Sequence, residues 1–113
     1  VAYSRIENWK IAHHEFVLAV DMDPAEPINW QMCGEALLHL KRYEEAERYL
    51  QESLELLPQS PDTLCALSQV CAAKGELERA SMFLDKAFLL DPHSVRAREV
   101  RWKLRHTTLQ RSK

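Results

Sequence analysis

This sequence predicts an all-α fold of antiparallel helix pairs, and three observations carry that prediction. Only two glycines occur in 113 residues, and strand-forming residues are scattered rather than clustered. Apolar residues recur at helical rather than strand spacing. The chain also aligns with itself at one fixed spacing. Pro27 falls on Pro61, Ala46 on Ala80, Leu50 on Leu84, Leu54 on Phe88 and Pro58 on Pro92. One step back, Ala12, Phe16, Val20 and Pro24 take the same positions.

In chain order, helices are expected at about 1–6, 9–22, 27–40, 43–57, 61–74, 77–90 and 95–109. The first two form an incomplete copy that keeps Tyr3 and continues with Ala12 and Phe16. In 27–40, Trp30, Cys33, Leu37 and Leu40 stand at i, i+3, i+7 and i+10, one stripe of a helix. Tyr43, Ala46, Leu50, Leu54 and Leu57 make the stripe of 43–57, and Lys41-Arg42 is a link short enough to force an antiparallel hairpin. Pro27 and Pro61 suit a first helical turn that needs no N–H donor, and Ser60 is placed to cap the helix after it. Pro58 and Pro92 close the second helix of each pair. In 95–109, Ala97, Val100 and Leu104 are expected inside, with Arg98, Arg101 and Arg105 solvated, as suits a cap.

Each hairpin leaves an apolar face that only a neighbour can cover, so the pairs are expected to stack. The expected organisation is one domain over 1–113: an incomplete repeat (1–26), two repeats (27–60 and 61–94) and a basic capping helix (95–113). With most of its first helix missing, the 9–22 arm should expose apolar surface. Sequence before Val1 or a second chain would then cover it. Gly34 inside a helix costs ~1 kcal/mol against alanine, and close approach of the paired helix at Ala46 would offset that.

Composition bounds the function. Hydrophobic residues make up 46% and charged residues 28%, a globular balance. The longest apolar run, Phe16 to Val20, is far shorter than the ~20 residues that cross a bilayer, and no basic-then-apolar leader opens the chain. Three cysteines, Cys33, Cys65 and Cys71, form no C-x-x-C pair, which points to a reducing, cytoplasmic compartment. The net charge of −2 is divided unevenly. Residues 1–94 carry −8 and residues 95–113 carry +6.

The constellations that carry chemistry are weak. His13 and His14 point about 100° apart on a helix, and His39, His93 and His106 fall in different units, so neither a metal site nor a cofactor is expected. Cys33 and Cys71 sit at core positions, and Cys65 is expected to be the accessible thiol, with no histidine placed to activate it. Glu44, Glu45, Glu47, Glu52 and Glu55 lie on solvated faces beside Lys41, Arg42 and Arg48. The chain reads as no enzyme. Basic residues confined to one final helix, with Trp102 as their one aromatic, disfavour nucleic acid and anionic membrane as partners.

The repeat resembles the tetratricopeptide repeat family, whose 34-residue unit reads W-x2-L-G-x2-Y, then A-x3-F, then P. The middle copy has Trp30-x2-Cys33-Gly34-x2-Leu37, Ala46-x3-Leu50 and Pro58. The third has Leu64-x2-Leu67-Ser68-x2-Cys71, Ala80-x3-Leu84 and Pro92. Cys33, Ser68, Leu37 and Cys71 depart from the pattern while preserving size class or burial. The resemblance covers about residues 3–94. It implies a short right-handed α-solenoid with a C-terminal capping helix, acting as an adaptor or chaperone-like module that holds a partner peptide or helix in a concave groove.

The groove positions that the resemblance implies are Ile28, Gln31, Met32, Glu35, Leu38 and His39 in the middle unit. The third unit would add Asp62, Cys65, Ala66, Gln69, Ala72 and Ala73, and the last helix Glu99, Lys103 and His106. Relatives that clamp a chaperone's terminal carboxylate use lysine, arginine and asparagine there, whereas Gln31, Met32, Glu35, Cys65, Ala66 and Gln69 stand here. An apolar partner segment is therefore expected rather than that clamp. A loose likeness around Asp23 to Pro27 and Gly34 to Leu38 implies, more narrowly, a bacterial secretion chaperone. The alternative is a structural segment of a longer solenoid that spaces other domains or self-associates through the N-terminal hairpin.

Overall fold

The computed structural model of the protein describes residues 5–111, with side chains as far as His106. Among these residues there are six helices and no strand: α1 (Arg5–Met22), α2 (Pro27–His39), α3 (Tyr43–Leu56), α4 (Pro61–Ala73), α5 (Leu77–Leu90) and α6 (Val95–Arg111). Helices α2, α4 and α6 start one repeat apart, at Pro27, Pro61 and Val95, as do α3 and α5 at Tyr43 and Leu77. No described helix is long and apolar enough to cross a membrane.

The first helix differs from expectation. In place of separate helices at 1–6 and 9–22, one continuous α1 runs from Arg5 to Met22. No proline or glycine falls inside it, and Lys10 Nζ meets Glu7 Oε1 at 3.5 Å across the stretch where a break was expected. Tyr3 and the rest of residues 1–4 lie outside the described region.

The helices form two compact units, 1–58 and 59–113. In the first, α2 packs against α1 on one side and α3 on another. Its core joins Val20, Cys33, Ala36, Leu37, Ala46 and Leu50. Ser53 Oγ donates to the Pro27 carbonyl at 2.9 Å and ties the far end of α3 to the start of α2. The second unit packs α4 against both α5 and α6. Leu64, Leu67, Val70, Cys71, Leu84, Ala87, Ala97 and Val100 are buried there.

Local chemistry sets the ends of these helices. Ser60 Oγ accepts from the Thr63 amide at 3.3 Å beside Pro61, an N-cap that satisfies a donor with no partner inside the helix. Glu26 does the same for Ile28 before Pro27. Both hairpin turns are Schellman motifs. The Arg42 amide donates to the Leu37 carbonyl at 2.9 Å and the Glu76 amide to the Cys71 carbonyl at 2.8 Å. The left-handed residue of the second turn is Gly75, at φ 83°; the first places Lys41 there, at φ 63°.

Candidate functional site

Each unit has its own candidate surface: what α2 leaves accessible in the first and what α4 leaves accessible in the second. On α2, the stripe of Trp30, Cys33, Gly34 and Leu37 faces α3. A Cβ at Gly34 would sit 2.6 Å from Leu50 Cγ and 3.3 Å from the Ala46 carbonyl oxygen, so this crossing excludes any side chain. The Trp30 indole donates to the Pro24 carbonyl at 2.7 Å and its ring tilts against Tyr49, with centroids 5.4 Å apart. That fixes the approach to α2. Of the groove positions, Ile28 and His39 are then exposed, and Met32, Glu35 and Leu38 are half-buried. Gln31 is buried and donates from Nε2 to Glu35 Oε2 at 2.9 Å. His39 stacks flat on Trp9 of α1, with centroids 3.9 Å apart and planes 5° from parallel.

On α4 the outcome differs. Asp62 and Ala73 are exposed, and Gln69 and Ala72 are half-buried. Cys65 and Ala66 are fully buried, which corrects the expectation of an accessible Cys65 thiol. Helices α5 and α6 both pack on α4, and every residue of α4 from Thr63 to Ser68 is buried. Glu99, Lys103 and His106 are exposed on α6.

Arg96 is the organising residue that the list of groove positions lacks. Its guanidinium donates to Gln69 Oε1 at 3.2 Å and lies 3.9 Å from Asp62 Oδ1, bringing two expected site residues together. The signal for it was present, since Ile28, Asp62 and Arg96 stand at the same repeat position, at the opening of α2, α4 and α6. Trp9 carried no such signal, because a stack between α1 and α2 depends on how those helices pack.

Burial pushes the Cys33 thiol up to about 11, which keeps it protonated and poorly nucleophilic at neutral pH. Burial, and then the Arg42 charge, holds His13 below its usual range. Glu45 is held down chiefly by its hydrogen bonds from Arg42, and Glu76 by those from Arg79 and Lys74. These carboxylates are engaged in surface ion pairs.

Comparison with known proteins places this geometry. The sequence profile of the family described as tetratricopeptide repeat matches residues 29–88. No curated protein matches the sequence. The fold is similar to the first TPR of Spaghetti (RPAP3) bound to the HSP90 peptide SRMEEVD. That likeness has 18% identity and a TM-score of 0.82, over 91% of this chain and 82% of the other. The second TPR domain of human RPAP3, in complex with the HSP70 peptide SGPTIEEVD, is 20% identical with a TM-score of 0.79, over 86% and 81% of the two chains. The Yersinia enterocolitica type III secretion translocator chaperone SycD (alternative dimer) is 19% identical with a TM-score of 0.79, over 95% and 84%.

Proposed function

The chain belongs to the tetratricopeptide repeat family, and from that premise we propose that it is a protein-interaction module. In this reading it is a non-enzymatic adaptor or chaperone-like unit in a reducing, cytoplasmic compartment, and it holds a peptide or helix of a partner in the family's concave groove. The proposed contacts are Ile28, Met32, Glu35, Leu38 and His39 on α2, with Asp62, Gln69, Ala72 and Ala73 on α4 and Glu99 and Lys103 on α6. Gln31, Cys65 and Ala66 are buried and are not among the proposed contacts. The proposed unit boundaries are 1–26, 27–60, 61–94 and 95–113.

One observation carries this reading: the accessible edge of α2 is apolar at Ile28, Met32 and Leu38. Such an edge suits a hydrophobic segment whose side chains displace water from it. The peptides held by the two RPAP3 domains end in EEVD. At the groove positions that the family resemblance implies, this chain has Gln31, Met32, Glu35 and Gln69, none of them cationic, so a different partner class is expected.

Affinity capture from native lysate tests the reading, comparing the wild type with Met32→Glu/Leu38→Glu after both are shown to melt alike. A protein kept by the wild type and released by the variant supports it. Equal retention by both would remove α2 from the site. Saturable binding of SRMEEVD would replace the apolar segment with an acidic tail.

A second reading, a self-associating or spacing segment, draws on α1. Ile11, Leu18 and Met22 are exposed at i, i+7 and i+11, one outward stripe. Light scattering over a concentration series decides it. A mass that doubles for the wild type and stays constant for Leu18→Glu favours self-association.

A further inference from the structure

The face that α2 and α4 bury is turned outward on α6. Stepping one repeat along the chain, Trp30, Cys33, Gly34 and Leu37 of α2 correspond to Leu64, Leu67, Ser68 and Cys71 of α4. On α6 the same positions are Arg98, Arg101, Trp102 and Arg105. The α2 face receives α3 and the α4 face receives α5. On α6 all four residues are exposed, Trp102 at 61%, because the helix buries Ala97 and Val100 instead.

Two further observations mark this face. Helices α2 and α4 end after 13 residues in a turn that folds the chain back, whereas α6 continues for 17. Within the described residues, the chain therefore returns no helix to this face. Elsewhere among the described residues, Lys10, Arg42, Lys74, Arg79 and Arg96 are paired with carboxylates, while Lys41, Arg48 and Lys86, scattered over other helices and turns, are not. Among the described residues, Arg98, Arg101 and Arg105 face none. Arg101 lies over the Phe88 ring at 4.6 Å, and His106 stacks on Trp102 at 3.7 Å.

We propose that this face of α6 docks an acidic amphipathic helix of another polypeptide, in the antiparallel position that α3 takes on α2 and α5 on α4. The three guanidinium groups stand at i, i+3 and i+7, spaced to meet carboxylates on a facing helix, and their fork geometry suits bidentate pairing. Trp102 supplies the apolar anchor between them. The row is only about 10 Å long at ~1.5 Å per residue. The rest of the chain, residues 1–94, carries −8, which would repel a longer polyanion. A short acidic helix therefore fits where a nucleic-acid strand does not. Arg98, Arg101, Trp102 and Arg105 are not among the groove residues, so this docking does not depend on the groove reading.

The probe is a fluorescein-labelled peptide of residues 43–57, with five glutamates and one arginine for a net charge of −4. It is titrated with the whole chain by anisotropy at low and at moderate salt. Saturable binding is expected, weakened at least roughly tenfold by Arg98→Glu/Arg101→Glu/Arg105→Glu and severalfold by Trp102→Ala or added salt. If the triple variant loses helicity, Arg105→Ala alone serves, with an expected loss of roughly threefold. No saturable binding by the wild type, or binding that survives these substitutions, overturns the proposal. Tighter binding of a fifteen-residue oligothymidine, lost in the same variants, overturns it in favour of single-stranded nucleic acid.

Discussion

The α2–α3 and α4–α5 hairpins start at equivalent places in the repeat and solve the same crossing in opposite ways. The first puts Gly34 beneath Leu50 and Ala46, where the Leu50 side chain occupies the space a Cβ would need. The second has Ser68 at the equivalent position, buried, with Oγ donating to the Ala80 carbonyl at 2.7 Å. At the far end the roles reverse. Ser53 bonds the Pro27 carbonyl in the first hairpin, while the fully buried Ala87 takes that position in the second. Each hairpin thus has one hydroxyl tie and one small-residue contact, at opposite ends. The lesson is that the repeat prescribes small residues at the crossing, while the atoms standing opposite decide whether a hydroxyl fits: the Leu50 side chain fills the space beside Gly34, and the Ala80 carbonyl receives Ser68.

The largest test of that contrast removes the shared leucine. Leu50→Ala and Leu84→Ala should each cost about 2–5 kcal/mol in chemical denaturation, since both side chains are buried and would leave cavities. A value under about 1 kcal/mol at either site would show a loosely packed hairpin.

Exchanging the two solutions comes next. Gly34→Ser should destabilise by about 1–3 kcal/mol, because the new Cβ meets Leu50 Cγ, near the backbone and slow to yield. Ala46→Leu and Ala80→Leu should cost a similar ~1–3 kcal/mol by overpacking. An undiminished melting temperature for all three would end the close-approach account.

Removing the hydroxyl alone is milder. Ser68→Ala keeps the Cβ and loses one hydrogen bond, about 0.5–1.5 kcal/mol, and Ser53→Ala should match it. The turns differ as well. Lys41 holds a left-handed φ where the other turn has glycine, so Lys41→Gly should stabilise by about 0.5–1 kcal/mol. A loss of stability there would mean that the Lys41 side chain contributes more than its backbone costs.

The smallest effect concerns pH. Burial and Arg42 lower the pKa of His13 in the folded state, with Glu45 opposing and His14 adding to the shift. The unfolded chain then takes up the proton first. Stability is level above about pH 6.5, falls as pH drops from there towards the lower folded value, and levels off below it. His13→Gln should remove that part of the decline between pH 7.5 and pH 5.5 in thermal melts. An unchanged decline would shift the effect to another group.

Much of the fold was legible because its signals are local. Pro27, Pro61, Ser60 and the repeat spacing of apolar and small residues define where helices begin and which pair. The length of α1 was misread because the repeat suggested a break that no proline or glycine enforces. The candidate surface was less legible. Gln31, Cys65 and Ala66 occupy positions that the family resemblance assigns to a partner, yet all three are buried.

The sequence by itself determined α2 to α6, their order and the residues at each crossing, because caps, turns and periodicity act within a few residues. Only the tertiary structure decided which atoms stand opposite each small residue, that α4 is packed by α5 and α6 while α6 turns Arg98, Arg101, Trp102 and Arg105 to solvent, and that Trp9 stacks on His39. Those outcomes depend on which neighbour fills the space beside a helix. A helix's own side-chain pattern marks a face for burial without stating what will bury it.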